Sequence, residues 1–427
     1  MLDYKMAEMK LSEELAWRGF VNQTTLKDPN ELDKEPLKFY LGVDPSAPSM
    51  TVGNLSTMMM VRHFIDHGHQ AFMLVGGATG IIGDPDGKSE ERTLKPIEEI
   101  EANKKAIVEQ YKRVLSGENF EVVDNFDWFK QIKFLDFLRD VGKHVPMRQM
   151  LARDFVQKRL SETGSGISYA EFSYSIMQGF DFLTLFKDKG VTLQVCGSDQ
   201  WGNCIAGVEL IRRITGQEAH IWSHPLIINK STGIKFGKSE AGAIWLDENL
   251  TSVYQFYQFW LNVDDDGVED YLKIYTLISP DELKELMGGF NKDRSIRQAQ
   301  KYLAYEVTKI VHGQDRADSV KRISEVLFGG RDYSELNTQD FRELSKELGK
   351  YEFSGGIELT EALVQTGLAA SKSEARHFVG TKAVYINGKQ ITPEKTELKA
   401  SDTINGHIIL RRGKNSQVVI CITKEQK

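Results

Sequence analysis

Cysteine is scarce in this chain. Only Cys196, Cys204 and Cys421 occur among 427 residues, and they lack the paired spacing of a zinc site or a disulfide framework. That excludes a small disulfide-stapled fold and points to a reducing compartment. Long apolar runs are also missing, none approaching the ~20 residues of a membrane span. Residues 1–10 are polar and charged, unlike a secretory signal. The expectation is a soluble cytoplasmic protein with no membrane partner. Low-complexity tracts and internal repeats are absent too. Hydrophobic residues at 41% and charged residues at 27% match ordinary globular composition. At roughly 150 residues per domain the length allows two to three domains, large enough to bury cores without metals or disulfides.

Surplus positive charge is lacking overall. The net charge is −7, which argues against a general nucleic-acid coat, and no DNA partner is expected. The average conceals an asymmetry. Residues 371–427 carry 11 lysines and arginines against 5 acidic residues, while the rest of the chain carries 43 against 56. An acidic body with a basic tail suggests one dedicated polyanion-binding module, although small terminal domains are also basic without such a role.

The first half alternates strand-like apolar runs with amphipathic helical stretches, the pattern of a parallel α/β sheet. Strands are expected at Lys38–Val43, 71–75, 120–123 and 192–196. Helices are expected at 53–68, 96–115, within 134–160, at 172–186 and at 202–214. Functional loops should gather at the C-terminal ends of such strands. After residue 247 the stretches 251–261, 268–278, 281–287, 293–311 and 317–327 read as helices without strands between them. Residues 329–356 are charged and contain glycine, and read as a linker. In the last segment 357–366 is a short helix. Ser371 caps a second helix, with Glu374 three residues on as a capping box. Asn387-Gly388 between two short apolar runs signals a hairpin, and 408–411 and 417–422 supply two further strands. The expected domains are therefore 1–247, 248–328, a linker over 329–356, and 357–427.

Four stretches carry chemistry. In Tyr40-Leu-Gly42-Val-Asp44-Pro-Ser46, running on to Thr51-Val-Gly53-Asn54, a strand passes through a loop into a helix start. Free N–H groups and the helix dipole there favour phosphate, and the glycines admit a nucleotide against the backbone. A plain βα turn would read the same way. The second stretch, 74–92, holds five glycines within 12 residues and ends in Lys88 and Arg92. It lacks the spacing of a P-loop but could close on polyphosphate. In the third, Tyr174, Gln178 and Asp181 fall at i, i+4 and i+7 on one face of an otherwise apolar helix. Buried polar groups need partners, which a polar ligand could supply; the motif Gly197-Ser-Asp199-Gln200-Trp-Gly-Asn203 follows. The fourth is Lys235-Phe-Gly-Lys238-Ser239, two lysines in a glycine-containing loop suited to a transferring phosphate; taken alone it would pass for a solvated turn. No Ser/His/Asp or Cys/His arrangement for nucleophilic catalysis is present.

Together, in this order, these motifs resemble the bacterial-type tyrosyl-tRNA synthetases, members of the class I aminoacyl-tRNA synthetases. The resemblance runs over about residues 11–422. It implies a Rossmann-like parallel-sheet catalytic domain, an all-α domain and a small α+β S4-like RNA-binding domain. The tail is similar to that S4 type through its Lys372–Val379 helix and 384–388 hairpin. The implied activity is tyrosine plus ATP giving tyrosyl-adenylate and pyrophosphate, followed by transfer to tRNA(Tyr). Because a carboxylate is already ionised at pH 7, its attack on phosphorus needs no protein base, and alignment with charge stabilisation suffices.

By position in the motifs, Tyr40 and Asp181 would meet the phenolic hydroxyl of tyrosine. A site built for a hydroxyl rejects the analogue lacking it, a rule that tyrosyl-tRNA synthetases themselves illustrate. Asp84, Tyr174 and Gln178 would hold the ammonium. Gly42, Asp44, Asp199 and Gln200 would line the ribose and α-phosphate region, with Gln200 also on the tyrosine side and Ser46 and Gly53 beside ATP. Lys88, Arg92, Lys235 and Lys238 would embrace pyrophosphate, with Mg²⁺ accompanying ATP and no tightly bound protein-ligated metal. Lys372, Arg376, Lys382, Arg411, Arg412 and Lys414 would face RNA. A homodimer through 134–150 is also implied.

The sequence departs from the family where H-I-G-H commonly stands, reading Thr51-Val-Gly-Asn54. Each replacement keeps one donor, neither becomes cationic, and altered ATP handling is expected. Leu41 stands where a small residue beside the ribose is usual. The rival readings are a tryptophan-activating relative, a non-catalytic RNA-binding paralogue and a nucleotidylyltransferase of similar topology. The Tyr40/Asp181 pair, the retained lysines and the S4-like tail argue against them in turn.

Overall fold

The apolar runs expected as strands assemble into one six-stranded sheet: β1 (Gln23–Thr24), β2 (Lys38–Val43), β3 (Gln70–Val75), β4 (Phe120–Asp124), β5 (Leu193–Gly197) and β6 (His220–His224), in the spatial order β1-β6-β5-β2-β3-β4. All neighbours are parallel except β1, which runs antiparallel to β6. β1 and β6 have no counterpart in the sequence reading. β1 is two residues long, and the polar ends of His220-Ile-Trp-Ser-His224 conceal an inner strand whose last four residues are nonetheless buried. The computed structural model describes residues 9–85, 94–115, 119–161, 164–239, 242–413 and 416–423; of 154, 155, 238 and 239 it describes the backbone.

Strand order reverses between β2 and β5. From β2 the chain proceeds to β3 and β4 on one side, then returns to place β5 and β6 on the other. A crevice opens at such a switch point beyond the strands' C-terminal ends. Here those ends are Val43 and Gly197, each opening one of the motif loops.

Helices cover the sheet as the periodicity requires. Val52–Asp66 follows β2, and its inward face of Leu55, Met58, Met59, Val61 and Phe64 is fully buried. Tyr169–Lys189 begins at Ser168, whose hydroxyl accepts from the Glu171 N–H, and ends at Gly190 in the left-handed conformation, as an N-cap serine and a C′ glycine dictate. Trp201–Thr215 packs close against it: a Cβ on Gly207 would stand 3.0 Å from the Phe182 ring, and one on Gly179 would stand 3.2 Å from the Gly207 nitrogen. The N-terminal helix Leu11–Arg18 contributes a buried ionic network. Glu14 accepts from Arg18 at 2.7 Å, from His67 at 2.8 Å and from His63 at 3.1 Å. Arg18 in turn donates to the carbonyls of Lys273, Thr276 and Ile278.

That last contact bears on the domain boundaries. The described residues group into two compact units, 1–247 with 263–303, and 248–262 with 304–427, whereas the composition suggested one helical block over 248–328. Residues 263–303 join the first unit because Arg18 caps the carbonyls of the Val268–Tyr275 helix and Phe236 stacks on Tyr271 at 4.3 Å. Residues 248–262 join the second because Gln255 donates to Glu347 and Gln258 to Ser324.

In the second unit a five-stranded sheet runs Lys389–Gln390, Val384–Ile386, His407–Arg412, Ser416–Thr423, Lys350–Ser354, the last pair parallel. Residues 329–356, expected as a linker, thus supply an edge strand and the helix Thr338–Leu348. The charge and glycines concealed an amphipathic helix whose Phe341 and Leu344 pack with Ile323, Val326, Ile409 and Val419. The Asn387-Gly388 hairpin forms as read, both residues at positive φ, 46° and 78°. The capping box at Ser371 forms by half. Ser371 accepts from the Glu374 N–H, but Glu374 reaches one residue further back, to the Ala370 N–H.

Candidate active site

A cavity of about 440 Å³ occupies the crevice between β2 and β5. It is lined by β2 and its loop, the start of the Val52–Asp66 helix, the Tyr169–Lys189 helix, the Gly197–Gln200 turn, and residues 224–243. Of the residues expected at the site, it brings together Tyr40, Gly42, Asp44, Ser46, Thr51, Gly53, Asn54, Asp84, Tyr174, Gln178, Asp181, Asp199, Gln200 and Lys235, with Leu41 beside them. Lys88 and Arg92 lie outside the described residues. For Lys238 only the backbone is described, paired in a short antiparallel ladder with Ala243.

The closed end holds Tyr40 and Asp181. Tyr40 sits within β2, in register with Phe72 and Gln194, is 1% exposed, and leans on Phe182 at 5.2 Å. Its hydroxyl has no hydrogen-bond partner among the described residues. Burial holds its pKa well above the usual phenol value, and the nearby thiols and Asp181 add to the shift. Burial likewise pushes the Asp181 carboxyl well up, against two donors that pull it down: Asn125 Nδ2 to Oδ2 at 3.0 Å and Trp128 Nε1 to Oδ1 at 2.8 Å. The carbonyl oxygens of Gln178 and Gln194 are also buried and, among the described residues, unpartnered. Three orphaned polar atoms on the wall of one cavity cost free energy until a polar ligand meets them.

A second cluster lies at the mouth of β2. Asp44 Oδ1 accepts from Thr79 Oγ1 at 2.6 Å and Oδ2 from the Tyr174 hydroxyl at 2.7 Å. A Cβ on Gly76 would lie 2.1 Å from Asp44 Oδ1, so glycine alone fits there. Tyr174 therefore spends its proton on Asp44 and offers lone pairs inward. Asp84 Oδ2 accepts from Gln200 Nε2 at 2.8 Å, and Asn203 bridges to Gln200 while accepting from Arg153 at 2.7 Å.

The open end carries the charges. Lys235 pairs with Asp199 at 3.2 Å, both partly exposed. Thr51 and Asn54 close on each other: Asn54 Oδ1 accepts from both the Thr51 N–H at 2.9 Å and the Thr51 hydroxyl at 3.0 Å. The sequence reading left each with a donor; Thr51 has spent its hydroxyl proton, and Asn54 Nδ2 is the donor that remains for a ligand. Neutral, short side chains at 51 and 54 permit this reciprocal cap.

Thr79, Asn125, Trp128, Thr57 and His224 belong to the site and escaped the sequence reading. Asn125 and Trp128 directly follow β4, so the rule that function gathers at strand ends would have found them. His224 ends the unread strand β6.

The six residues expected to face RNA lie in the second unit. Lys372 is held between Glu358 at 3.4 Å and Glu361 at 3.5 Å. Arg376 and Lys382 are exposed. The Arg411 guanidinium lies over Tyr385 at 4.0 Å and that of Arg412 over Phe378 at 4.9 Å. Lys414 is outside the described residues.

Residues 32–329 match the class I tRNA synthetases for tryptophan and tyrosine, and residues 340–420 match the SYY-like C-terminal domain of tyrosine–tRNA ligases. The tyrosine–tRNA ligase of Staphylococcus saprophyticus is 43% identical, over 96% of this chain and 98% of its own. That of Geobacillus kaustophilus is 42% identical, over 96% and 99%. Among solved structures, a C-terminally truncated mitochondrial tyrosyl-tRNA synthetase from Aspergillus nidulans superposes with a TM-score of 0.68 at 32% identity, covering 75% of this chain and 95% of that one.

Proposed function

The chain belongs to the class I tRNA synthetases of the tryptophan and tyrosine group and is a tyrosine–tRNA ligase using ATP; on that premise we propose how its residues share the reaction. In the first step a carboxylate oxygen of tyrosine attacks the α-phosphorus of ATP. The bond from that phosphorus to the β-phosphate bridge breaks, and pyrophosphate leaves. In the second, a hydroxyl of the terminal adenosine of tRNA(Tyr) attacks the tyrosyl carbonyl carbon and AMP leaves. Neither step needs a covalent enzyme intermediate, and the work of the protein is alignment and charge stabilisation.

Tyr40 and Asp181 receive the phenolic hydroxyl. The observation that carries this assignment is the orphaned Tyr40 hydroxyl at the closed end of the cavity, beside a carboxyl fixed by Asn125 and Trp128. Asp84, Tyr174 and Gln178 take the ammonium, which would satisfy the unpartnered Gln178 oxygen. Gly42, Ser46, Gly53 and Asp199 follow the nucleotide, while Asp44 and Gln200 act through Tyr174 and Asp84, to which they are bonded. Lys235 exchanges Asp199 for phosphate as pyrophosphate departs, with Lys238, Lys88 and Arg92 completing the clamp. Among the described residues no group of three or more His, Cys, Asp or Glu could hold a metal ion. Mg²⁺ would enter with ATP and supply charge neutralisation at the phosphates.

Phe134, Leu135 and Met147 are 63%, 74% and 56% exposed, an apolar surface that supports homodimerisation through 134–150. Among the described residues no helix is long and apolar enough to cross a membrane. Replacing Lys238 by alanine tests the division of labour. Adenylate formation should fall by at least about 10²-fold while tRNA binding persists; unchanged adenylate formation would remove Lys238 from the clamp.

A further inference from the structure

Among the described residues one imidazole lines the cavity, His224. It ends β6 and is 2% exposed. Its Nδ1 lies 2.8 Å from the Pro225 carbonyl oxygen and its Nε2 lies 2.7 Å from Thr57 Oγ1. A carbonyl oxygen can only accept, so Nδ1 carries the proton. Burial pushes the His224 pKa down and keeps the ring neutral, which makes Nε2 an acceptor. The Thr57 hydroxyl must therefore donate to it, and only lone pairs remain on Thr57 Oγ1.

This is not the default for a helical hydroxyl, which usually bonds a carbonyl of its own helix. Ser56, the neighbour of Thr57, does so, donating to the Gly53 carbonyl at 2.8 Å. Thr57 is drawn across to β6 instead. It stands four residues after Gly53 on the same helical face, and both line the cavity.

We propose that His224 is a positioning residue for the nucleotide: by holding the Thr57 proton it fixes Thr57 Oγ1 as an acceptor for a ribose hydroxyl of ATP. The proposal rests on reading this cavity as the site of tyrosine activation. Phosphate oxygens are acceptors and cannot bond a hydroxyl whose proton is committed. The donors of an adenosine nucleotide are the ribose hydroxyls and the base amino group. Phosphate is favoured at the N-terminus of the Val52–Asp66 helix, and Thr57 lies little more than a turn further in, where the donors nearest the phosphates fall.

The test measures KM for ATP, 2′-deoxy-ATP and 3′-deoxy-ATP in tyrosine-dependent pyrophosphate exchange, with folding of each variant followed by thermal melting. The unaltered chain should prefer ATP to one of the two deoxynucleotides by about three- to tenfold, the range of one hydrogen bond. Thr57→Val and His224→Leu should each abolish that preference without changing KM for tyrosine, and the double variant should lose no more than either alone. His224→Gln, whose Oε1 can stand where Nε2 stood, should retain most of the preference. A wild-type preference in Thr57→Val or in His224→Leu, or losses that multiply in the double variant, would overturn the proposal while the activation reading stands. No tyrosine-dependent exchange in the unaltered chain would overturn that reading and this proposal with it.

Discussion

At the scale of single residues, the closed end of the cavity, proposed to take tyrosine, is a place where binding and stability pull against each other. Tyr40 buries a hydroxyl without a partner, a penalty of about 1–3 kcal/mol that a bound phenol would relieve. Tyr40→Phe should therefore raise the stability of the free protein by about 1 kcal/mol, read by denaturant unfolding. It should also lower kcat/KM for tyrosine and narrow the tyrosine-to-phenylalanine ratio. Trp128→Phe removes the donor to Asp181 Oδ1 and should reduce kcat/KM for tyrosine about tenfold, with KM for ATP unmoved. At the other end, Thr51→His restores an imidazole but breaks the reciprocal cap with Asn54. If a charge-assisted contact to phosphate outweighs the cap, adenylate formation accelerates by roughly tenfold. A rate equal to that of the unaltered chain would show that position 51 does not reach ATP. These residues differ in how legible they were. Tyr174, Gln178 and Asp181 stood out as polar groups on an apolar helix, and Tyr40 by its place in the first motif. Trp128 and His224 did not, because a tryptophan or a histidine near a strand end is equally at home in a core.

At the scale of elements, the loop bearing Lys235 and Lys238 is held by the Val268–Tyr275 helix and the turn before it. Phe236 stacks on Tyr271 at 4.3 Å and leans on Tyr275 at 5.7 Å. Lys230 pairs with Asp270 at 2.5 Å, and Ser231 donates to Asp264. The two lysines flank this anchored phenylalanine in sequence, so the helix sets their reach. Tyr271→Ala should slow adenylate formation about tenfold with KM for tyrosine unchanged, and Tyr271→Phe should preserve the rate, as a stacking role requires. Presteady-state measurement of adenylate formation would check both. Strands β2, β3 and β5 were plain in the sequence because buried parallel strands read as continuous apolar runs. β6 was missed because its ends are polar, and the Lys350–Ser354 edge strand because alternate charged residues on an exposed edge look like a linker. The grouping of 263–303 with the first unit depends on Arg18 reaching carbonyls some 255 residues away, which no local pattern encodes.

At the scale of the whole molecule, acid should weaken the fold through groups that stay unprotonated when buried. Burial lowers His69 to about 4 from the 6.5 of a free histidine, and its Nδ1 accepts the Leu37 N–H at 3.0 Å. The unfolded chain binds that proton first, so this stability is present above pH 6.5 and is lost as pH falls toward 4, by on the order of 2 kcal/mol. Burial alone would raise the Glu14 carboxyl, but His63, His67 and Arg18 pull it far below the carboxylate range, adding loss at still lower pH. The denaturation midpoint should fall between pH 7 and 5, and His69→Asn, which keeps an acceptor near Nδ1, should flatten that slope. For the tail proposed to face RNA, substitution is a cleaner test than deletion. Cutting from residue 356 would strip Ile409 and Val419 from Phe341 and Leu344, whereas Lys382→Glu with Arg376→Glu alters exposed charge alone and should weaken tRNA charging while sparing adenylate formation. The most direct test of the central claim is amino-acid-dependent ATP–pyrophosphate exchange with tyrosine, tryptophan and phenylalanine in parallel. Exchange with tyrosine alone is the predicted result; exchange with tryptophan, or with none of the three, would contradict the roles given to Tyr40 and Asp181 and to the phosphate-binding lysines.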